Sequence, residues 1–243
     1  MVNHSERTIE VSFTPLLFNL HKKRNSIVVI VDILRATTAI CTAFANGVKH
    51  IIPVATIEEA KKYKEKGYLV AGERDGIVLE GADFGNSPFN FSKENVNDKI
   101  FVVTTTNGTQ AIELAKDCKK VAIGSFLNIT SLCNWLVEEN ENITILCAGW
   151  KNRFNLEDTI FAGAVIENLL SNKKFNLKLN CDSAMASLDL WNVAKKDLIG
   201  YVQKFAHRER LRKLGLDNVI EYCFTKDVTD IIPVLDGDKL VKL

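Results

Sequence analysis

Acidic and basic side chains follow the ends of three predicted strands. Each of these ends combines a carboxylate with an arginine a few residues away: Asp32 with Arg35, Glu73 with Arg74, and Glu157 and Asp158 with Arg153. Carboxylates are the hard oxygen ligands that Mg²⁺ prefers, and arginines bind oxyanions. Ligands of open α/β sheets bind at the carboxyl ends of the strands. We therefore expect these side chains to meet at one edge and to form a site suited to phosphoryl transfer.

A fourth strand end is rich in hydroxyl groups. Residues 104–109 read Thr-Thr-Thr-Asn-Gly-Thr, and a helix is expected to begin there. The N-terminus of a helix favours anions, so this turn is a candidate phosphate site. It is not a nucleotide-binding P-loop, because no Gly-Lys-Ser/Thr follows at the required spacing.

Each of these residues also has a simpler interpretation. Asp32 and Asn107 could cap the helices that follow them, and Asp158 stands at capping-box spacing from Asn155. Glu73 and Arg74 could form a surface ion pair of little energetic consequence. A functional site is favoured by the occurrence of all these residues at the strand ends together, and less by any one of them alone. The basic run 208–213 is predicted to be a solvated helix face, and the isolated His207 is given no catalytic role.

Short apolar runs alternate with helix-like segments along the chain. Strands are predicted at residues 26–31, 48–54, 68–71, 100–104, 121–123 and 143–147. Helices are predicted at residues 36–45, 57–66, 109–117, 129–138 and 156–170. Fully apolar strands joined by helical crossovers predict an α/β fold with a mainly parallel sheet and helices on both faces. Residues 72–92 read as a long functional loop, and the part beyond residue 172 reads as helix-rich.

Composition limits the class of protein. The 243 residues are 47% hydrophobic and 25% charged, with a net charge of +1. We expect a single domain over residues 1–243, or two closely packed lobes. No global field favours nucleic acid, and the apolar region 26–48 is interrupted by Asp32 and Arg35, so no membrane span is expected. The six dispersed cysteines fit buried, reduced thiols, and thus a cytoplasmic enzyme. Homo-oligomerisation is left open.

The signature blocks resemble those of the 2-phosphosulfolactate phosphatase family. The blocks occur in family order: Val31 to Thr38, Gly72-Glu73-Arg74, Gly85 to Pro88, Thr104 to Thr109 and Leu156 to Thr159. The C-terminal part is similar as well, through Leu211, Gly215, Tyr222-Cys223, Asp227 and Ile232-Pro233. The chain departs from the pattern at Asp75, where the family is expected to have a glycine.

This resemblance implies a family-specific α/β fold and Mg²⁺-dependent hydrolysis of 2-phospho-3-sulfolactate, a small anionic phosphate ester, on a route to coenzyme M. We expect Mg²⁺ to be held by Asp32, Glu73 and Asp158, directly or through water, with Glu157 as a weaker candidate. The phosphoryl group is assigned to Arg35, Thr37, Asn107, Gly108 and Thr109. The other anionic groups are assigned to Arg74, Arg153 and Asn86. Asp32, Arg35 and Asp158 are the expected catalytic residues, and the added carboxylate of Asp75 is expected to alter anion selectivity.

Three other functions fit the sequence less well. Phosphatases that use an aspartyl nucleophile place a second carboxylate two residues later, where this chain has Leu34, so attack by water is preferred. A non-catalytic anion-binding regulatory module would have no use for several carboxylates beside a polyanion. A dinucleotide-dependent oxidoreductase is disfavoured because no G-x-G-x-x-G follows the first strand.

Overall fold

The chain folds into an α/β structure built on one large mixed sheet. The computed structural model describes residues 6–213, 215 and 217–243. Its strands are β1 Arg7–Ser12, β2 Ser26–Val31, β3 His50–Pro53, β4 Leu69–Arg74, β5 Ile77–Val78, β6 Ile100–Thr104, β7 Lys120–Gly124, β8 Asn142–Cys147, β9 Leu177–Leu179, β10 Pro233–Asp236 and β11 Lys239–Lys242.

Helices cover both faces of this sheet, as predicted. They are α1 Phe18–His21, α2 Ala36–Ala45, α3 Ile57–Glu65, α4 Lys93–Val96, α5 Gly108–Ala115, α6 Ile129–Glu139, α7 Leu156–Ser171, α8 Asp182–Ala194, α9 Leu198–Val202, α10 Ala206–Lys213 and α11 Ile220–Cys223. The part beyond residue 172 is helix-rich, as expected. None of the helices described is both long enough and apolar enough to cross a membrane.

The strand order is β5-β4-β6-β3-β11-β10-β7-β2-β8-β1-β9. Two parallel groups, β4-β6-β3 and β7-β2-β8-β1-β9, lie on either side of the antiparallel hairpin β10–β11. Single antiparallel bridges join the hairpin to β7 and to β3. The C-terminal hairpin thus joins the two parallel groups in the middle of the sheet. The sequence of β10 is a short apolar segment, and it did not indicate this central position.

Strand β2 is buried on both faces, which explains its unbroken apolar sequence. Ile27, Val29 and Val31 pack in the core that contains α6, α7 and α8. Val28 and Ile30 point the other way, into the core formed with α2 and α5. A strand covered by helices on both sides has no solvent face, so the polar alternation of an exposed strand is absent.

Several predicted elements are confirmed with the same bounds, namely β2, α2 and β6. Strand β4 continues to Arg74, three residues beyond its predicted end at 71. Glu73 and Arg74 are therefore consecutive strand residues, whose side chains point to opposite faces of the sheet. The predicted loop 72–92 contains the short strand β5 and a 3₁₀ turn at Pro88–Asn90.

Candidate functional site

Asp32 lies at the carboxyl end of β2, between the ends of β7 and β8. The N–H of Asp32 donates to Thr37 Oγ1 at 3.1 Å, and the N–H of Thr37 donates to the Asp32 carbonyl at 3.0 Å. These two bonds fix the turn between β2 and α2, and the Asp32 side chain is 7% exposed. Thr37 is buried in the turn and does not line the cavity beside Asp32. Thr37 thus stabilises the backbone of the turn that carries the Asp32 carboxylate.

Arg35 stands beside Asp32 in an unusual backbone conformation. Its φ is 119°, a region that residues with a side chain rarely adopt, and such strain is concentrated at functional sites. The guanidinium is buried: Nη1 donates to the Gly76 carbonyl at 3.2 Å, whereas Nε has no hydrogen-bond partner within the part of the chain described. Burial lowers the pKa of Arg35, while Glu73 and Asp32 raise it. A buried donor without a partner is suited to an incoming oxyanion.

Asp158, in the first turn of α7, is completely buried. Its Oδ1 accepts the N–H of Ile33 at 2.9 Å, and its Oδ2 accepts the N–H of Gly149 at 3.1 Å and the side-chain amide of Asn155 at 2.9 Å. Asp158 does satisfy backbone N–H groups, but those of the β2 and β8 ends rather than of its own helix. Burial and the charge of Glu157 raise its pKa to about 8. Asp158 thus ties together the strand ends that carry the site.

Glu73 approaches the cavity from β4 and is held in a similar way. Its Oε1 accepts the N–H of Thr106 at 2.8 Å, and its Oε2 accepts the N–H of Gly76 at 2.6 Å. Asn86 reaches the same cavity, and its Oδ1 is buried without a hydrogen-bond partner in the described residues. An amide oxygen in this state is available to a cation or to a hydroxyl group.

The turn before α5 closes the cavity on a third side. A Cβ on Gly108 would lie 2.9 Å from Ala36 Cβ and 3.1 Å from Asp32 Oδ2, so the glycine lets α5 begin close to both α2 and the carboxylate. Asn107 lines the cavity, and its Oδ1 accepts the N–H of Lys151 at 3.0 Å. Thr109 Oγ1 accepts the N–H of Thr105, and Thr109 N–H donates to Thr105 Oγ1, both at 3.1 Å. Thr109 is therefore engaged within the turn.

His207 was missed by sequence reasoning. It lies in α10, and its Nδ1 is 2.8 Å from Oε1 of the buried Glu157. Its ring packs against Trp150 at a centroid distance of 5.4 Å, and both rings line the cavity beside Asp32. No spacing in the sequence connects residue 207 to residue 157. The only hint in the sequence is that a histidine stands directly before the basic run 208–213, which is predicted to face solvent.

Two arginines lie away from this cavity. Arg74 points to the other face of β4, where Nη2 donates to Thr104 Oγ1 at 2.9 Å and Nη1 donates to the Glu73 carbonyl at 2.7 Å. Burial lowers the pKa of Arg74, and the charges of Glu73, Glu58 and Asp75 raise it. Arg153 is exposed and lines a neighbouring groove. The sequence grouped Arg74 with Glu73 because consecutive residues cannot be assigned to a face without the strand bounds. Arg153 was grouped with Glu157 and Asp158 by its position shortly before them in the chain.

The cavity itself is small and acidic. Its lining includes Asp32, Arg35 and Glu73, and its volume is about 20 Å³, which is room for about one water molecule or a metal ion. A groove of about 440 Å³ lies on the other side of Trp150 and His207 and shares both residues with the cavity. These two rings form the wall between cavity and groove.

The electrostatics of the cavity favour a bound cation. Burial, together with the charges of Asp158, Glu73 and Glu157, raises the pKa of Asp32 well above its usual range, and Arg35 offsets part of this effect. Within the described residues, no three of these carboxylates bring their oxygens within 4.8 Å of one another. The structure therefore does not form a cage of three carboxylates. Asp32, whose carboxylate faces the cavity, and the oxygen of Asn86 fit Mg²⁺, which commonly uses one or two carboxylates with water.

Comparison with known proteins identifies relatives along nearly the whole chain. Residues 13–238 match the model of the family described as 2-phosphosulpholactate phosphatase. A probable 2-phosphosulfolactate phosphatase of Clostridium botulinum is 39% identical over 224 residues, covering 90% of this chain and 93% of that protein. Proteins with the same name in Clostridium novyi and Thermotoga maritima are 38% and 39% identical. The alignments cover 91% and 85% of this chain, and 94% and 88% of those proteins.

Proposed function

The chain belongs to the 2-phosphosulfolactate phosphatase family, and we propose that it hydrolyses 2-phospho-3-sulfolactate to 3-sulfolactate and phosphate with Mg²⁺ as cofactor. Water would attack the phosphorus atom, the phosphorus–oxygen bond of the ester would break, and the leaving alkoxide would take up a proton. The sulfolactate product is of the kind used to make coenzyme M. The observation that carries the proposal is the buried Asp32 carboxylate, placed beside Arg35 and repelled by three further carboxylates.

Magnesium fits Asp32 because this carboxylate needs a positive partner to ionise in the folded chain. We assign direct binding to Asp32, with Asn86 as a second oxygen ligand. Glu73 and Asp158 are not assigned as direct ligands, because their oxygens already accept backbone N–H groups. Their negative charges would still attract the ion to Asp32. When bound, Mg²⁺ would neutralise phosphate oxygens and lower the pKa of water.

Arg35 is assigned to the phosphoryl oxygens. Its Nε is buried without a partner and lies in the same cavity lining as Asp32. A charge-assisted hydrogen bond from this donor would strengthen as negative charge builds on the phosphoryl group. The strained backbone holds the guanidinium in place before the substrate arrives.

In the proposed complex the phosphoryl group lies at the mouth of the cavity, next to Asp32, Arg35 and the rings of Trp150 and His207. The groove beyond them presents Arg153 and Lys204. We assign these two cations to the sulfonate and carboxylate, and His207 to positioning Glu157 and closing the cavity.

Attack by water is preferred to an aspartyl-phosphate intermediate. Leu34 lines the cavity at the position where a second carboxylate would serve as acid and base in an aspartyl-phosphate enzyme. Mass spectrometry of protein quenched during turnover should therefore find no phosphate on Asp32. A phosphorylated Asp32 peptide that appears and decays at the catalytic rate would overturn this preference.

A second candidate function is hydrolysis of another phosphorylated hydroxy acid. Asp75 lines the cavity and pairs with Lys151 at 2.7 Å, so this chain has a carboxylate near the entering anion where the resemblance leads us to expect a glycine. The two candidates differ in whether the sulfonate is required.

The test is phosphate release from matched phosphorylated hydroxy acids, with and without a sulfonate, at varied Mg²⁺. We expect the highest kcat/KM for 2-phospho-3-sulfolactate and no turnover in EDTA. Higher kcat/KM for an analogue that lacks the sulfonate would favour the second candidate. Anion binding that is equal with and without Mg²⁺, with no phosphate released from any ester, would identify a regulatory module instead.

A further inference from the structure

A second group of metal-ligand side chains lies outside the acidic cavity. Glu10 is in β1, His21 is the last residue of α1, and Cys181 directly precedes α8. A carboxylate oxygen, a ring nitrogen and the thiol sulfur of these three residues all lie within 4.8 Å of one another. No other group of three or more His, Cys, Asp or Glu residues is this compact in the part of the chain described.

The distances are close to those of a tetrahedral zinc site. Zinc binds oxygen and nitrogen at about 2.0–2.2 Å and sulfur at about 2.3 Å, so its ligand atoms lie about 3.3–3.8 Å apart. His21 Nδ1 and Glu10 Oε2 are 2.9 Å apart and need to separate by only a few tenths of an ångström. The thiol has to approach by about 1.3 Å or less, within the range of a side-chain rotation.

Neighbouring residues orient two of these ligands. Lys23 Nζ binds Glu10 Oε1 at 2.7 Å, which leaves Oε2 directed at His21. Cys181 Sγ contacts Ser183 Oγ at 2.8 Å, and that hydroxyl donates to the Val11 carbonyl of β1 at 2.6 Å. Such a second layer of contacts limits the conformations of the ligand side chains, so only small adjustments are needed when the metal binds.

The cluster is accessible to an ion from solution. The side chains of His21 and Glu10 are 20% and 22% exposed, and Cys181 is half-buried.

We propose that Glu10, His21 and Cys181 form a binding site for Zn²⁺, with water or an external ligand in the fourth position. Sulfur and imidazole ligands select zinc over Mg²⁺, so this site and the phosphatase cavity would take different metals. Binding releases the thiol proton, since zinc binds the thiolate. The ion would link β1, α1 and the segment before α8.

Cobalt substitution tests this site directly, because Co²⁺ bound to a thiolate gives a charge-transfer band in the near ultraviolet. Untagged full-length protein, stripped with EDTA, is titrated with Co²⁺ and then with Zn²⁺. We expect the band to saturate at one Co²⁺ per chain, to disappear as Zn²⁺ displaces the cobalt, and to be insensitive to Mg²⁺.

Cys181→Ser should abolish the band, whereas Cys118→Ser, at the other half-buried cysteine, should retain it. Loss of an outer-shell partner alone weakens metal binding about 10–100-fold. We therefore expect Cys181→Ser to weaken Zn²⁺ binding at least about 100-fold in competition with a chromophoric chelator. Glu10→Gln should weaken it without removing the band.

Three results would overturn the proposal: no band in the wild-type protein, a band that persists in Cys181→Ser, or equal loss in Cys118→Ser. Circular dichroism checks that each variant is folded. Phosphate release with Mg²⁺ should be unchanged in Cys181→Ser, because Cys181 lies outside the residues that line the cavity. The zinc site and the phosphatase activity are therefore tested independently.

Discussion

Replacing Asp32 with asparagine removes a charge and leaves the shape of the side chain almost unchanged. In the folded chain this carboxylate is buried and repelled by Asp158, Glu73 and Glu157, so its pKa lies well above its usual range. A carboxyl with a raised pKa destabilises the folded state at neutral pH, because the unfolded chain ionises it more easily. A tenfold change in the ionisation constant corresponds to about 1.4 kcal/mol.

Asp32→Asn should therefore raise the stability of the Mg²⁺-free protein, because the asparagine has no group that the unfolded chain could ionise more easily. For a chain of this length, each increment of about 1.4 kcal/mol in stability would raise Tm by about 3–6 °C. The gain should appear as pH rises above about 3.9, where the unfolded carboxyl ionises, and it should vanish at lower pH. Differential scanning calorimetry in EDTA between pH 4 and 8 measures it.

The same substitution should nearly abolish phosphate release. Loss of one preorganised electrostatic group costs about 3 kcal/mol in transition-state stabilisation, or a rate reduction of about 10²-fold. Added Mg²⁺ should raise the Tm of the wild-type protein and leave that of Asp32→Asn unchanged, since the variant lacks the proposed ligand. Stability and activity would then change in opposite directions, as expected of a strained functional site.

Asp75→Asn is the matched control. Asp75 lines the same cavity, but its side chain is 54% exposed and pairs with Lys151. The identical chemical change at this position should leave Tm within about 1 °C, because exposed ion pairs contribute little. Wild-type activity in Asp32→Asn, or a Tm in EDTA no higher than that of the wild type, would refute the electrostatic argument.

Three further predictions concern the framework of the site. Thr37→Val leaves the buried N–H of Asp32 without its acceptor and should cost about 1–3 kcal/mol in urea unfolding; an unchanged midpoint would contradict this. Gly163→Ala would place a Cβ 2.0 Å from the Ser187 carbonyl, forcing α7 and α8 apart, and should lower stability by about 1–3 kcal/mol in the same assay. Burial raises the pKa of the Cys133 and Cys223 thiols to about 12, so at pH 8 Ellman's reagent should react rapidly with no more than two of the six thiols, and with all six in denaturant. Rapid reaction of a third thiol in the native protein would show that the core opens.

The order of strands and helices was largely readable from the sequence, because apolar runs and helical periodicity are local properties. The runs at β2 and β6 gave the strand bounds, and from these followed the sheet edge at which Asp32 lies. The grouping of acidic residues at this edge was predicted for the same reason. Family membership was also anticipated from short motifs, and the comparisons confirmed it.

The hydrogen bonds of each carboxylate were decided by tertiary structure. Asp158 and Glu73 lie near Asp32, but their oxygens accept backbone N–H groups, among them those of Ile33 and Thr106, which are far away in sequence. Such bonds depend on where separate strands end relative to one another. The sequence specifies charge and spacing, but it does not specify which lone pairs remain for a metal.

Orientation and long-range contact were likewise decided by the fold. Strand β4 is three residues longer than predicted and includes Glu73 and Arg74. Because successive side chains of a strand point to opposite faces, Arg74 lies on the face opposite to Glu73. His207 reaches Glu157 across a separation of 50 residues because α10 packs over the start of α7. The sequence determined which residues could take part in the chemistry. Only tertiary packing decided which of them meet, because side-chain direction and burial depend on contacts between segments that are far apart in the chain.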